Sequence, residues 1–300
     1  MSRKPAISRL RHRVGEAIAS RRLWRSGDRV AVAVSGGLDS VCLLDLLVSI
    51  ADWHGAELMV VTVDHGVREG SAGDADFVCA LAKGMALPVR RFDLTGVDAD
   101  ERSLREGRYG AFEALDVDVV ALAHHRDDQA ETVLLQLLRG AGSRGLGAMR
   151  WKRDRYVRPL LDISRSELAR WAEHRDLVWS EDPSNADPGF LRNRVRAEVL
   201  PLLEQIRPGA AGALARSANN LAEDDAYLQG LAGRAPPWSL TWIAVTPVSI
   251  VRRSLATELK SSALVDAALK IAAAGTGAVD VGDGQRLVVH DGALVLTAES

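Results

Sequence analysis

The sequence predicts an α/β protein: a doubly wound, mainly parallel sheet, followed by a helical segment and a small α+β C-terminal domain. Three observations carry this. Short apolar runs alternate with helix-length stretches through the first half of the chain, the pattern of strands covered on both faces by crossover helices. From Ser164 the pattern becomes helical. Near the C-terminus, short β-type runs are separated by Gly-Asp-Gly and Asp-Gly turns, which favour tight hairpins.

In chain order, residues 8–24 read as a basic helix. Val30–Val34 is the first strand and Ser40–Ile50 its helix. Leu58–Val63 follows, then a helix near Gly73–Leu87, the strand Val89–Asp93 and a helix over Arg102–Leu115. Val117–Ala123 is the next strand and Asp127–Leu138 the next helix. Ser164-Arg-Ser-Glu167 is a capping box for a helix carrying Leu168, Trp171 and Leu177. Further helices are expected over Phe190–Leu203, Ala210–Gln229, Val248–Glu258 and Ala263–Ala273. Gly233–Pro237 reads as a linker. Strands are expected at Ala278–Val281, Arg286–His290 and Ala293–Thr297. With 300 residues, two domains are expected, divided as 1–205, with a helical extension from about 164, and 206–300.

Hydrophobic residues make up 47% of the chain, enough for a real core, and the formal charge of −2 excludes a uniformly basic protein. Charge is uneven, however. Arg3, Lys4, Arg9, Arg11, Arg13, Arg21, Arg22, Arg25 and Arg29 crowd the N-terminus, and a second basic stretch runs from Arg144 to Arg158. Such clusters can track a nucleic-acid backbone or form solvated helix faces. Cys42 and Cys79 both lie in apolar helical patterns and read as small core residues. No apolar segment follows the N-terminal charges and no run is long enough to span a bilayer. A soluble, cytoplasmic protein without membrane contact is therefore expected.

The segment Ser35-Gly36-Gly37-Leu38-Asp39-Ser40 lies where the first strand turns into its helix. Glycines there let backbone N–H groups approach a phosphate, and the helix N-terminus adds a field that favours an anion. Ser35 and Ser40 can donate to phosphate oxygens. Asp39 would repel a phosphate without a cation between them, which points to Mg2+. No Gly-Lys-Ser or Gly-Lys-Thr occurs, so this is not a Walker A loop.

A second segment, His124-His125-Arg126-Asp127-Asp128-Gln129-Ala130-Glu131, follows another strand. Asp128 and Glu131 share a helix face. Ser35, Asp64-His65 and His124-His125 all fall at C-terminal strand ends, where parallel sheets bind ligands. No Cys or His with zinc-ligand spacing accompanies the histidines. A third segment holds Glu181–Asn185 and then Arg192, Asn193, Arg194 and Arg196. These arginines do not share one helical face, so some pair internally and others reach a substrate.

The first loop resembles the PP-loop of ATP pyrophosphatases. Together with Val63–Gly66, Arg108-Tyr109, His124–Thr132, Leu138–Gly140, Gly145-Leu146, Arg158–Leu161, Glu181–Asn185 and Arg192–Arg196, it resembles the tRNA(Ile)-lysidine synthetase family over roughly Arg29–Leu203. Ala123 departs from that family's pattern, where Gly is common. The resemblance implies an adenine nucleotide alpha hydrolase-like fold. It implies ATP binding at Ser35, Gly36, Gly37, Leu38, Asp39, Ser40, Asp64, His65 and His124, and Mg2+ on Asp39 and Asp128. Catalytic roles fall to Asp39, Arg108, Asp128 and Glu131, and tRNA contacts to Arg192, Asn193, Arg194 and Arg196. The implied reaction joins free L-lysine to C2 of the wobble cytidine of tRNA(Ile) with a CAU anticodon, through an adenylated intermediate, releasing AMP and pyrophosphate. A homodimer is left open. The rival reading is a PP-loop tRNA thiolase, which needs reactive cysteines or an iron–sulfur cluster. A non-catalytic ATP sensor leaves the acidic cluster without a purpose.

Overall fold

The computed structural model describes residues 3–64, 66, 70–94, 101–181, 189–233, 237–259 and 261–298. They form two compact units, Met1–Asn219 and Asn220–Ser300.

The first unit runs α1 (Arg3–Ser20), β1 (Arg29–Ala33), α2 (Leu38–Ser49), α3 (Ala51–His54), β2 (Glu57–Asp64), α4 (Ser71–Gly84), β3 (Val89–Asp93), α5 (Glu101–Glu113), β4 (Val119–Ala121), α6 (Arg126–Leu138), α7 (Ser143–Leu146), β5 (Lys152–Arg153), β6 (Tyr156–Val157), α8 (Arg165–His174), α9 (Leu191–Arg194) and α10 (Leu200–Ile206). A single π-helical turn, Val195–Val199, joins α9 to α10. The helix α11 (Ala210–Leu231) follows, and the division between the units falls within it.

The sheet order is β3-β2-β1-β4-β6-β5. All neighbours pair in parallel except β5, which runs antiparallel at the edge. From β1 the chain winds outward one way to β2 and β3, then returns to β4 on the other side. The order therefore reverses between β1 and β4, and ligands of such sheets bind in the crevice at that reversal. One face of the sheet is covered by α2, which buries Val41, Cys42, Leu43, Leu44, Leu46 and Leu47. Each such leucine stabilises by about 1.5–3 kcal/mol. The same core takes in Val14 and Ile18 of α1 and Leu168 and Trp171 of α8. The other face packs Ala31, Val61 and Val120 against Phe112 and Leu115.

α2 and α8 are bolted together by a buried polar contact. Asp45 accepts from the Trp171 indole N–H at 2.8 Å and from Arg175 at 3.1 Å. The Cys42 thiol lies 3.4 Å from the Leu168 carbonyl. Ser164 and Glu167 form the expected capping box at the start of α8. The helix ends at His174, so Leu177 lies beyond it rather than within it. Asp176 takes a φ of +50°, and the Leu177 N–H reaches back to the Ala172 carbonyl, a Schellman-type stop built without glycine. The helix expected over Phe190–Leu203 likewise differs: it begins at Leu191 and contains the π turn. The short elements α3, α7, β5 and β6 had no counterpart in the sequence reading.

The second unit contains β7 (Trp238–Ser239), α12 (Leu240–Val245), α13 (Val248–Glu258), α14 (Ser262–Ala274), β8 (Ala278–Gly282), β9 (Gln285–His290) and β10 (Ala293–Ala298). Its antiparallel sheet, β7-β10-β9-β8, encloses Trp238, Val251, Leu255, Leu287 and Leu294. The Trp238 N–H donates to Ser254 at 2.8 Å. Asp283-Gly284 and Asp291-Gly292 turn the hairpins with positive φ at both residues, as type I′ turns require. Within the linker expected at Gly233–Pro237, residues 234–236 lie outside the described residues. Among the described residues no helix is long and apolar enough to cross a membrane.

Candidate active site

Three helix N-termini meet at the reversal point because three adjacent parallel strands lead into them: β1 into α2, β4 into α6, and β6 into α8. The meeting is cross-linked. The Arg126 N–H donates to the Ile163 carbonyl at 2.8 Å, and the Arg165 N–H donates to Asp127 at 2.9 Å. Between them opens a cavity of about 880 Å³.

The glycine loop closes on itself. Gly36 has a φ of +89°, a conformation that L side chains resist. The Ser40 hydroxyl accepts from the Ser35 N–H at 3.1 Å and donates to the Gly37 carbonyl at 2.9 Å. It is thus committed to shaping the loop, whereas Ser35 remains exposed. From outside, Ser180 clamps the loop: its N–H donates to the Gly36 carbonyl at 2.9 Å and its hydroxyl to Asp74 at 2.5 Å.

Of the residues singled out by sequence, Ser35, Gly37, Leu38, Asp39, Ser40, Arg108, His124 and Asp128 all line the cavity. His125 ties the two aspartates together: its Nε2 lies 3.5 Å from Asp39 and its Nδ1 3.5 Å from Asp128. When its ring is neutral it also caps α6, accepting the Asp128 N–H at Nδ1, and in either form the Asp128 carboxylate accepts the His125 backbone N–H at 3.0 Å. Burial opposes charging of His125, but its hydrogen bond to Asp39 and the charges of Asp128, Asp39 and Asp127 prevail and raise its pKa. Burial likewise opposes ionisation of Asp128, yet His125 above all, with His124, Arg192 and the His125 N–H, holds its pKa below the usual value. His124 is pushed down to about 3, mainly by burial and further by Arg158, Arg192 and Arg108. At neutral pH it presents an uncharged imidazole to the cavity.

Glu131 stands one turn below Asp128 and does not line the cavity. Its side chain is 1% exposed and is paired with two arginines. It accepts from Arg192 Nε at 2.8 Å and from Arg196 Nε and Nη2 at 2.6 and 3.0 Å. The same guanidiniums reach Asp128 at 3.4 and 3.1 Å. Arg194 points elsewhere and pairs with Glu198 on the exposed surface; Asn193 is half-buried. Asp64, at the end of β2, accepts from the Gly66 N–H at 2.9 Å and pairs with Arg91 at 3.3 Å. His65 lies outside the described residues.

The donor set fits Mg2+. Asp39 Oδ1 is buried with no hydrogen-bond partner among the described residues, an oxygen open to a hard cation. No cluster of three or more Asp, Glu, His or Cys suited to a metal occurs among the described residues. Mg2+ does not need one, since it takes one or two carboxylates and completes its shell with water and substrate phosphates.

The cavity also recruits Asp74, Arg165, Trp179, Ser180 and Glu181. None of these five was given a site role from sequence; Glu181 belongs to the Glu181–Asn185 segment singled out there. The one trace of Arg165 was a cation at the first position of a helix, where carboxylates are the favoured charge.

A profile of the PP-loop domain family matches residues 7–203. A tRNA(Ile)-lysidine synthase of Geobacter sulfurreducens is 45% identical over 228 residues, 71% of this chain and 48% of that protein. One of Thermobifida fusca is 44% identical over 218 residues, 70% of this chain and 67% of that protein. One of Solibacter usitatus is 38% identical over 278 residues, covering 89% and 62%. The chain spans about half the length of the Geobacter and Nitrosomonas europaea relatives. Among solved structures, the U34-tRNA thiolase NcsA of Methanococcus maripaludis, determined with its iron–sulfur cluster, shares the fold. Its TM-score is 0.62 at 20% identity, over 74% of this chain and 80% of that one. With a family profile matching well over half its length and relatives this similar, the chain belongs to the PP-loop domain family and, within it, to the tRNA(Ile)-lysidine synthases.

Proposed function

We propose that this protein activates the wobble cytidine of tRNA(Ile) bearing a CAU anticodon with ATP, and then joins L-lysine to it. The observation that carries this is the convergence of Asp39 and Asp128 on the two nitrogens of His125, beside the loop shaped by Gly36. The backbone N–H groups of Ser35–Ser40 and the α2 N-terminus would hold the α-phosphate. Asp39 offers the open oxygen for Mg2+, and Asp128 would exchange an arginine contact for the ion. Bound there, Mg2+ would neutralise charge on the phosphates.

In the first step, O2 of the cytidine bonds to the α-phosphorus and the bond to the β-phosphate oxygen breaks, expelling pyrophosphate. In the second, the lysine side-chain amine bonds to C2, AMP departs with O2, and the amine proton passes to a cavity carboxylate or water. Arg108 would stabilise charge developing on the phosphates. Glu131, buried and held by Arg192 and Arg196, acts by positioning those arginines. In turn they set the charge around Asp128. Arg194, Asn193 and the second unit would meet the tRNA. A cytoplasmic location fits such a substrate.

The thiolase reading is disfavoured by the thiols. Burial, helped by Asp39 and Asp45, pushes Cys42 up to about 12, far from a reactive thiolate. No cysteine stands among the residues that line the cavity.

Incubation with ATP, radiolabelled lysine and a panel of tRNAs tests the proposal. Label is expected on the wobble cytidine of tRNA(Ile), with one pyrophosphate released per lysine. Asp39→Ala and Asp128→Ala should abolish pyrophosphate release while the protein stays folded. Sulfur incorporation, or normal turnover by either variant, would overturn it.

A further inference from the structure

We propose that Arg165 binds the β- and γ-phosphates of the nucleotide and the pyrophosphate they become; this rests on the ATP-activation reading above. Arg165 lines the same cavity as Asp39 and the glycine loop. Its guanidinium lies 4.0 Å from Asp39 and its side chain is 56% exposed. That separation is too long for a hydrogen bond, so the planar donor fork is available for a ligand.

The charge inventory of the cavity calls for such a group. Asp39, Asp74, Asp128 and Glu181 all line it, with Arg108 and Arg165 as the arginines among the lining residues. Arg192 and Arg196 do not line it and are held by Glu131 and Asp128. A polyphosphate entering a space with four carboxylates requires cationic donors beyond a metal ion. Guanidinium is well matched to phosphate because it binds in a bidentate manner.

The placement is also unfavourable for α8 itself. Arg165 is the first residue of that helix, where the dipole disfavours positive charge. A bound polyphosphate would reverse that penalty. The backbone beneath is fixed by the Arg165 N–H bond to Asp127, the Ser164–Glu167 capping box and the Asp45–Trp171–Arg175 bolt to α2. Only the long side chain need move, from Asp39 toward a phosphate. As the α–β phosphate bond breaks, its electron pair goes to the bridging oxygen. The added charge on the departing pyrophosphate is what Arg165 would then neutralise.

The test is equilibrium binding of ATP, AMP and inorganic pyrophosphate in the presence of Mg2+, by titration calorimetry, to the parent protein, Arg165→Ala and Arg165→Lys. The parent should bind ATP more tightly than AMP. Arg165→Ala should lose about ten- to a hundredfold in affinity for ATP and pyrophosphate, the scale of hydrogen bonds to charged groups. AMP affinity should change less than about twofold, and Arg165→Lys should fall between, keeping the charge but not the fork. If Arg165→Ala keeps the parental preference for ATP over AMP, the role of Arg165 is refuted and the activation reading stands. Equal losses for AMP and ATP would make Arg165 a prop for the loop and likewise refute it. A parent protein that does not prefer ATP would overturn the activation reading and this proposal with it. Should Arg165→Ala melt below the parent, Arg165→Gln and Arg165→Lys carry the same comparison.

Discussion

Replacing Glu131 with glutamine should destabilise the first unit out of proportion to the size of the change. The carboxylate is 1% exposed and accepts three bonds of 2.6–3.0 Å from Arg192 and Arg196. Glutamine keeps the shape, but its NH2 group now faces a guanidinium, and two cations are left to share Asp128. Removing one partner of a fully buried ion pair costs about 3–5 kcal/mol. Here the arginine side chains are 31% and 32% exposed, so water recovers part of that, leaving about 2–3 kcal/mol. For a unit of this size that lowers the melting temperature by about 4–12 °C. Thermal melting followed by circular dichroism measures it, and a double-mutant cycle with Arg196→Gln isolates the coupling. A melting temperature within about 1 °C of the parent, or strictly additive losses in the cycle, would show that the pairing does not stabilise the fold.

Gly36→Ala should cost about 1–2 kcal/mol, because its φ of +89° is disfavoured for L residues. ATP affinity should fall with it, and unchanged ATP binding would contradict the role given to the loop. Asp45→Ala leaves the buried Trp171 indole N–H without an acceptor and Arg175 without its partner. A loss of about 2 kcal/mol is expected, with a shift in tryptophan fluorescence as the check. His54 should make the fold sensitive to acid. Its pKa is lowered mainly by burial, against the hydrogen bond to Leu47, and the neutral ring uses both nitrogens, on the Leu47 carbonyl and the Ala56 N–H. Because the unfolded chain binds that proton more readily, the stability is present above about pH 6.5 and is lost as the pH falls below it. His125 is raised and runs the opposite way, so the measurement is the difference in melting temperature between the parent and His54→Gln from pH 8 to pH 5. That difference should shrink on acidification.

The parallel core was legible because its strands are buried on both faces and read as continuous apolar runs. The edge strand Val89–Asp93 and the second unit's helix Val248–Glu258, which are not such runs, also fell where expected, to the residue. β5 and β6 were not legible, since two-residue strands carry no period at all. The stop of α8 was missed because Asp176, not glycine, takes the left-handed position. Within the site, the glycine loop and the aspartates declared themselves by local spacing. The contribution of Arg192 and Arg196 did not: four residues apart, they reach Glu131 from another helical segment, a partnership that exists only after folding. Arg165 was hidden for the same reason, as its place beside Asp39 depends on β6 lying next to β4.

The two outer strands of the main sheet have a consequence for self-association. β3 follows Pro88 and carries Arg90 and Arg91, and the opposite margin ends in Lys152 and Arg153 on a two-residue strand. Strands that are short, basic and preceded by proline make poor templates for another chain's backbone. A second molecule cannot readily extend this sheet from either side, so fibre-like stacking through the main sheet is discouraged.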